Sequence, residues 1–101
     1  MRMMCTARLP WLTMSVRTAT YKKDCNRIEI ALRDILEVNK EKMTVRMEPM
    51  VDMRYVTRHL LPMGFQLAVQ IEMEDITVGG IVMGHAIETN SHLRGHAIET
   101  N

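Results

Sequence analysis

The residue types best suited to binding chemistry lie in one glycine-rich stretch, residues 75–92, which reads DITVGGIVMGHAIETNSH. Thr77 is a favourable N-cap, and Gly79 and Gly80 remove two Cβ atoms from the first turn of a helix that follows it. Backbone N–H groups in such a turn lack intrahelical partners and carry the positive end of the helix dipole, so they can bind a phosphate. The stretch can form an anion-binding turn, but turn chemistry by itself favours the ordinary tight turn that Gly-Gly pairs more often mark.

The glycine spacing does not match either of the two common nucleotide-binding fingerprints. The stretch contains neither GxGxxG, which is typical of dinucleotide-binding folds, nor GxxxxGK[ST], which is typical of nucleoside triphosphate sites. The glycine pattern by itself therefore leaves the ligand of the turn open.

Three histidines, His85, His92 and His96, lie close together in the sequence and could in principle gather on a metal ion. However, no cysteine and no supporting carboxylate occurs near them at a standard metal-ligand spacing. We therefore predict scattered histidines that face solvent, and no metal site.

Charged residues ahead of the glycines form two small groups. Arg54 and Arg58 are four residues apart, which puts them on one face of a helix, and such a face is more often solvated than used as a phosphate clamp. The carboxylates Glu72, Glu74 and Asp75 are close in sequence but lack an obvious partner acid or base. We predict a polar loop there.

Composition narrows the class of protein. The chain has 101 residues, of which 47% are hydrophobic, so it fits one small domain or part of a larger one. Eleven residues are Met and only four are aromatic, which predicts a core of flexible, adaptable side chains. The net charge of +1 gives no electrostatic reason to expect nucleic acid or an anionic membrane surface as a partner.

The two cysteines, Cys5 and Cys25, lie far apart in the sequence without CxxC spacing, which fits a reduced compartment better than a disulfide framework and leaves a Cys5–Cys25 bridge as the disfavoured alternative. Cys25 follows Asp24 and lacks the electropositive setting of an activated nucleophile. No apolar run reaches the roughly 18–20 residues that a transmembrane helix needs, so we expect no membrane span in this chain.

The first half of the chain predicts short extended segments. Residues 1–25 show no sustained period and are predicted to be irregular with one short strand. Residues 27–32 and 34–38 alternate apolar and polar side chains, and residues 43–49 do so again with Met43, Val45 and Met47 on one face. The polar residues 39–42 lie between them, and this order predicts a β-hairpin.

The second half predicts a helix followed by loops. Asp52 is a plausible N-cap for a helix over residues 51–64, whose apolar positions, Met53, Val56, Leu60 and Leu61, have helical spacing. Pro62 and Gly64 end it, an extended segment covers residues 65–69, and an acidic loop covers residues 70–75. The predicted fold class is α+β, with short strands and one or two helices.

The chain also resembles a known family. The run DILEVNKEKMTVRMEPMVDM, a helix ending at Gly64, and then LAV, EMEDITVGGIVMG, IET and SH are similar to the FAD-binding domain of the vanillyl-alcohol-oxidase and p-cresol-methylhydroxylase (PCMH) type. Within that superfamily the resemblance is to the branch that reduces the side-chain Δ24 double bond of sterols such as desmosterol. The likeness spans roughly residues 5–92.

The resemblance implies a cofactor, a reaction and a cellular location. Family members bind FAD, take reducing equivalents from NADPH, and act on a sterol at the endoplasmic reticulum membrane. In them the segment that matches the glycine-rich stretch lines the FAD. The positions implied here are Thr77, Val78, Gly79, Gly80, Ile81, Val82, Met83, Gly84, Ile87, Glu88 and Thr89.

Departures from the family pattern favour an alternative. Ala68 and Ile71 stand where the family has prolines, and His85 and Ala86 stand where it has Thr-Gly. GHAIETN at residues 84–90 recurs at 95–101.

We predict an irregular segment over 1–25, part of a PCMH-type FAD-binding domain over 26–92 and a duplicated tail over 93–101. Since the chain is expected to carry one wall of the flavin site, the alternative is a catalytically inactive fragment that acts, if at all, in protein interaction.

Overall fold

The computed structural model describes residues 1–12, 20–84, 88 and 91–95. Two compact units divide the chain, Met1–Ala31 and Leu32–Asn101. The described residues form short strands in two small sheets together with short helices, so the α+β prediction is confirmed. None of the helices in the described part of the chain has the length and hydropathy of a bilayer span.

The first unit is built on a parallel pair of short strands. β1 (Met4–Thr6) pairs with β2 (Asn26–Ile28), with Met4 opposite Asn26. The pairing is extended at both ends, because the Asn26 amide donates to the Met3 carbonyl and the Ala7 amide donates to the Ile28 carbonyl, both at 2.8 Å. The 3-10 helices Pro10–Leu12 and Thr20–Lys23 lie between the two strands in the sequence. The strand predicted over residues 27–32 ends at Ile28, so it is shorter than the alternating pattern indicates.

A buried cation stabilises this unit. The Lys22 side chain is only 3% exposed, and its Nζ donates to the carbonyl oxygens of Thr6, at 3.2 Å, and of Arg8. These carbonyls belong to the end of β1 and the residues just after it, so the ammonium ties the second 3-10 helix to the first strand. A buried charge needs such hydrogen bonds because its desolvation is otherwise unfavourable.

The second unit begins with the predicted hairpin, which is confirmed. β3 (Ile35–Asn39) pairs antiparallel with β4 (Thr44–Met47), with Val38 opposite Val45 and an irregularity between Ile35 and Glu37. In the turn, the Lys42 amide donates to Asn39 Oδ1 at 2.9 Å. Met43 has a positive φ of 54° and is exposed, so it does not share the half-buried face of Val45 and Met47 as predicted.

The predicted helix is also present. α1 (Met53–Leu60) is capped by Asp52, whose side chain accepts a hydrogen bond from the Tyr55 amide at 2.8 Å. Its inner face buries Met53, Val56 and Leu60. Leu61 was predicted at the same apolar spacing but is 58% exposed, because the next residue after the buried Leu60 lies about 100° around a helix. The 3-10 turn Leu61–Met63 follows, and the backbone turns left-handed at Gly64.

Irregular backbone completes the core. The predicted extended segment over 65–69 forms no strand, and residues 65–76 are loop. Two further helices follow, α2 (Val78–Gly84) and α3 (Ser91–Arg94). Ile71, one of the two positions where the family pattern has proline, is buried here. The buried apolar residues are Val51, Met53, Val56, Leu60, Val69, Ile71 and Ile81.

Removing the α1 cap tests the local signal that begins this helix. We expect Asp52→Ala to lower the free energy of unfolding by about 0.5–2 kcal/mol, because the Tyr55 amide loses its acceptor. Urea unfolding followed by far-UV circular dichroism measures the change. Asp52→Asn keeps a side-chain oxygen and should stay within a few tenths of a kcal/mol of the unsubstituted chain; equal losses in both variants would contradict a capping role.

Replacing the buried ammonium tests the first unit. We expect Lys22→Met, which keeps the aliphatic stem, to destabilise the β1–β2 pairing locally by about 1–3 kcal/mol, because the Thr6 and Arg8 carbonyls lose their donor. Amide hydrogen exchange at Ala7 and Asn26 should accelerate accordingly. Lys23→Met is the matched control, since Lys23 is exposed and should leave both amides unchanged.

Candidate functional site

The glycine-rich stretch begins α2 as its sequence predicts. Thr77 caps the helix: the Gly80 amide donates to Thr77 Oγ1 at 3.2 Å, and the Ile81 amide donates to the Thr77 carbonyl at 3.0 Å. Ile81 is buried in the core and anchors the inner side of the helix. The predicted N-cap is confirmed.

The amides of the first turn, however, already have partners. The Val78 amide donates to the Val51 carbonyl and the Gly79 amide donates to the Pro49 carbonyl, both at 2.8 Å, and the Gly80 amide has Thr77 Oγ1. These three N–H groups are therefore not free to bind an anion. The predicted phosphate cradle of backbone amides is wrong for this structure.

The physical reason is a backbone pairing that sequence reasoning missed. Residues 76–79 lie antiparallel to residues 49–53: Asp52 forms a β-bridge with Thr77, and the Met53 amide donates to the Ile76 carbonyl at 3.0 Å. The partner segment is more than twenty residues away in the sequence, so no local pattern around the glycines indicates it. Along this pairing the Val78 and Gly79 amides donate to the carbonyls of Val51 and Pro49. Two amides that an isolated helix end would leave unpaired therefore have partners.

Gly79 is required by this close approach. A Cβ atom at Gly79 would lie 3.2 Å from the Pro49 Cβ and 3.2 Å from the Pro49 carbonyl oxygen. These contacts are tight and one involves backbone, which has little freedom to move. The first glycine of the pair therefore packs the helix against its neighbouring segment, and its lack of a side chain serves folding.

The outward face of α2 is different. Gly80, Val82, Met83 and Gly84 are all exposed, and Met83 is 84% exposed. A Cβ atom at Gly80 would meet Thr77 Oγ1 at 3.4 Å, an ordinary contact, and one at Gly84 would meet nothing within 4 Å. Because these two glycines are four residues apart, they lie on the same side of the helix. They leave bare backbone on a face that solvent reaches.

Of the three predicted cofactor-binding positions after α2, only Glu88 lies among the described residues. Glu88 is half-buried, and its amide donates to Ser91 Oγ at 2.8 Å at the start of α3. Ile87 and Thr89 lie outside the described residues, as do His85, Ala86 and most of the second GHAIETN copy. Contact of residues 77–84 and 87–89 with a cofactor stays a prediction.

The acidic loop before α2 has a partner that the sequence reasoning missed. Arg54 Nε lies 2.9 Å from Glu74 Oε2 and its NH2 group lies 3.2 Å from Asp75 Oδ1, while the Arg54 amide donates to the Glu74 carbonyl at 3.0 Å. All three side chains are well exposed, so the ion pairs contribute little, of order 0–1 kcal/mol. Their effect is to hold the loop against the first turn of α1 rather than to bind phosphate.

The described residues were also compared with the requirements of a metal site and of an enclosed cofactor pocket. Among residues 1–12, 20–84, 88 and 91–95, no group of three His, Cys, Asp or Glu side chains could hold a metal ion. An apolar pocket of about 150 Å³ lies between the hairpin and residues 65–68, with Val38, Val45, Leu60 and Phe65 in its wall. Pockets that enclose a cofactor-sized ligand commonly measure ~300–1,000 Å³, so this pocket is too small to contain a flavin dinucleotide.

Comparison with known proteins places the chain in a family. A family model described as FAD binding domain matches residues 1–100. The chain belongs to this FAD binding domain family. The resemblance predicted from the residues around the glycine-rich stretch is thereby confirmed at the level of the cofactor domain.

Curated relatives of this FAD binding domain are sterol reductases. The chain is 45% identical to the Delta(24)-sterol reductase of Arabidopsis thaliana over 101 residues, and 50% identical to that of Homo sapiens over 92 residues. A third relative, from Pisum sativum, is 43% identical over 101 residues. These alignments cover 91–97% of this chain but only 18% of each relative. No solved structure matches the chain.

Substituting the two kinds of glycine separates packing from open surface. We expect Gly79→Ala to lower the free energy of unfolding by about 1–3 kcal/mol, because its Cβ crowds Pro49. Gly84→Ala should be neutral or stabilising by up to about 1 kcal/mol, since alanine favours helix and its Cβ has free space. Urea unfolding of both variants measures the difference; equal effects would contradict the tight packing of Gly79 against Pro49.

Proposed function

We propose that this chain supplies one wall of an FAD site in a flavoprotein of the Δ24-sterol reductase type. The observation that carries the proposal is the identity of 43–50% to Delta(24)-sterol reductases over more than nine-tenths of the chain. The match to the FAD binding domain gives the cofactor. Reduction of a sterol Δ24 double bond, NADPH as the reductant and location at the endoplasmic reticulum membrane are part of the proposal.

The surface proposed to meet FAD is the exposed face of α2. Its two glycines, Gly80 and Gly84, let a flat or extended group approach the backbone, and the exposed Met83 offers apolar contact next to them. The inward amides of Val78 and Gly79 are occupied, so binding through this wall depends on van der Waals contact and not on an anion cradle. When bound, FAD supplies the hydride-transfer chemistry, and the residues of this chain position it and exclude water from one side.

One wall gives only part of the contacts of a complete site. Association of a ligand costs an estimated 4–15 kcal/mol in lost translational and rotational freedom, and a single open face returns only part of it. We therefore expect the isolated chain to bind FAD weakly and the complete site to require further polypeptide. The chain spans about a fifth of the length of the relatives that it matches.

A second candidate function is a catalytically inactive fragment that acts in protein interaction. The observation that favours it is the occupied first turn of α2, because it removes the strongest reason for a phosphate to bind there. This candidate predicts no measurable affinity for FAD.

Titration of FAD separates the two. We expect the anisotropy of FAD fluorescence to rise as purified chain is added, and Gly80→Ala and Gly84→Ala each to raise the Kd by about tenfold because their methyl groups hold the ligand away. Far-UV circular dichroism confirms that both variants keep the fold. Absence of binding to the unsubstituted chain would favour the second candidate, and equal affinity of the variants would place FAD on another surface.

A further inference from the structure

The two cysteines, distant in the sequence, meet in the parallel sheet of the first unit. Cys5 is the central residue of β1 and lies opposite Arg27, and Cys25 lies two residues before Arg27, directly ahead of β2. Residues paired across neighbouring strands project to the same face, so Cys5 shares a face with Arg27, and Cys25 lies in the bend just before that strand. The ladder bonds from Asn26 to Met3 and from Ala7 to Ile28, both 2.8 Å, fix this register at either end.

The two cysteines are neighbours. Both are free and half-buried, and the Cys5 side chain is among the groups that act on the Cys25 thiol. Partial burial, the neighbouring Cys5 thiol and the Asp24 carboxylate raise the pKa of Cys25 above its usual value, while Arg2 opposes the shift. A raised thiol pKa keeps the proton on Cys25 near neutral pH, which slows its attack on other disulfides. The pair is thus held as a dithiol at the β1–β2 pairing.

We propose that Cys5 and Cys25 form a redox-responsive dithiol that closes to an intramolecular disulfide when a small-molecule disulfide such as oxidised glutathione is present. One protein thiolate attacks a sulfur of the oxidant and displaces one glutathione thiolate, which leaves a mixed disulfide. The second protein thiolate then attacks the protein sulfur of that mixed disulfide and displaces the second glutathione. The protein loses two hydrogens, and one oxidised glutathione becomes two reduced molecules.

The closed form would link β1 covalently to the start of β2. This linkage lies in the unit Met1–Ala31 and does not involve the α2 surface proposed to meet FAD. The inference therefore stands independently of the proposed cofactor binding. It concerns a modification site and adds an oxidised form whose β1–β2 pairing resists opening, because the cross-link restricts the unfolded chain.

The test uses the full chain in buffers of fixed reduced and oxidised glutathione. After acid quenching, intact-mass and peptide mass spectrometry should show one Cys5–Cys25 disulfide and little glutathione adduct. Cys5→Ser and Cys25→Ser each leave one thiol without a resolving partner, so each variant should keep a stable glutathione adduct instead. An adduct level in the unsubstituted chain equal to that of the variants would overturn the proposal.

A second measurement shows whether the fold, and not chance encounter, brings the thiols together. The equilibrium constant for disulfide formation is measured on the unsubstituted chain in buffer and again in concentrated urea. A pre-formed pair should raise the constant in buffer by about tenfold or more over the unfolded chain, in which closure depends on loop entropy alone. A constant in buffer equal to or below that in urea would overturn the proposal, even if the serine variants do not fold.

Discussion

The backbone pairing between residues 49–53 and 76–79 is the constraint on which the second unit depends. It joins the chain at the start of α1 to the chain at the start of α2. Four amides donate across or beside it, those of Met53, Arg54, Val78 and Gly79. The pairing places Val51 and Ile81 in one core with the inner face of α1. It also determines which side of α2 meets solvent, and so which residues can meet a ligand.

This constraint changes how the two adjacent glycines are understood. Gly79 faces the Pro49 backbone and serves packing, whereas Gly80 lies on the open side and its side-chain position is nearly free. A sequence motif that looks like one functional unit thus divides into a folding residue and a surface residue. The surface proposed to meet the cofactor is consequently an exposed helix face, and the amides of its first turn are already used inside the chain.

Local signals carried the predictions that succeeded. The hairpin followed from period-two alternation around a polar turn, α1 from Asp52 and the helical spacing of Met53, Val56 and Leu60, and the start of α2 from Thr77. The FAD family followed from residues quoted along most of the chain.

What sequence reasoning missed depended on tertiary neighbours. The partner of the Gly79 amide, the carboxylates bound by Arg54, and the carbonyls held by Lys22 are each far from those residues in sequence, and no propensity encodes them. The Leu61 prediction was wrong for a more local reason: as the next residue after the buried Leu60, it lies about 100° around the helix from the buried face and is exposed.

The crowding of Gly79 by Pro49 has a consequence for interpreting diverged members of such families. A descendant that no longer used a cofactor would still meet the same crowding at this position, because any larger residue would press on the Pro49 backbone of the paired segment. Retention of the Thr-Val-Gly-Gly signature thus reports an intact scaffold, while the freely substitutable site one residue later is the one whose drift would record lost ligand contact.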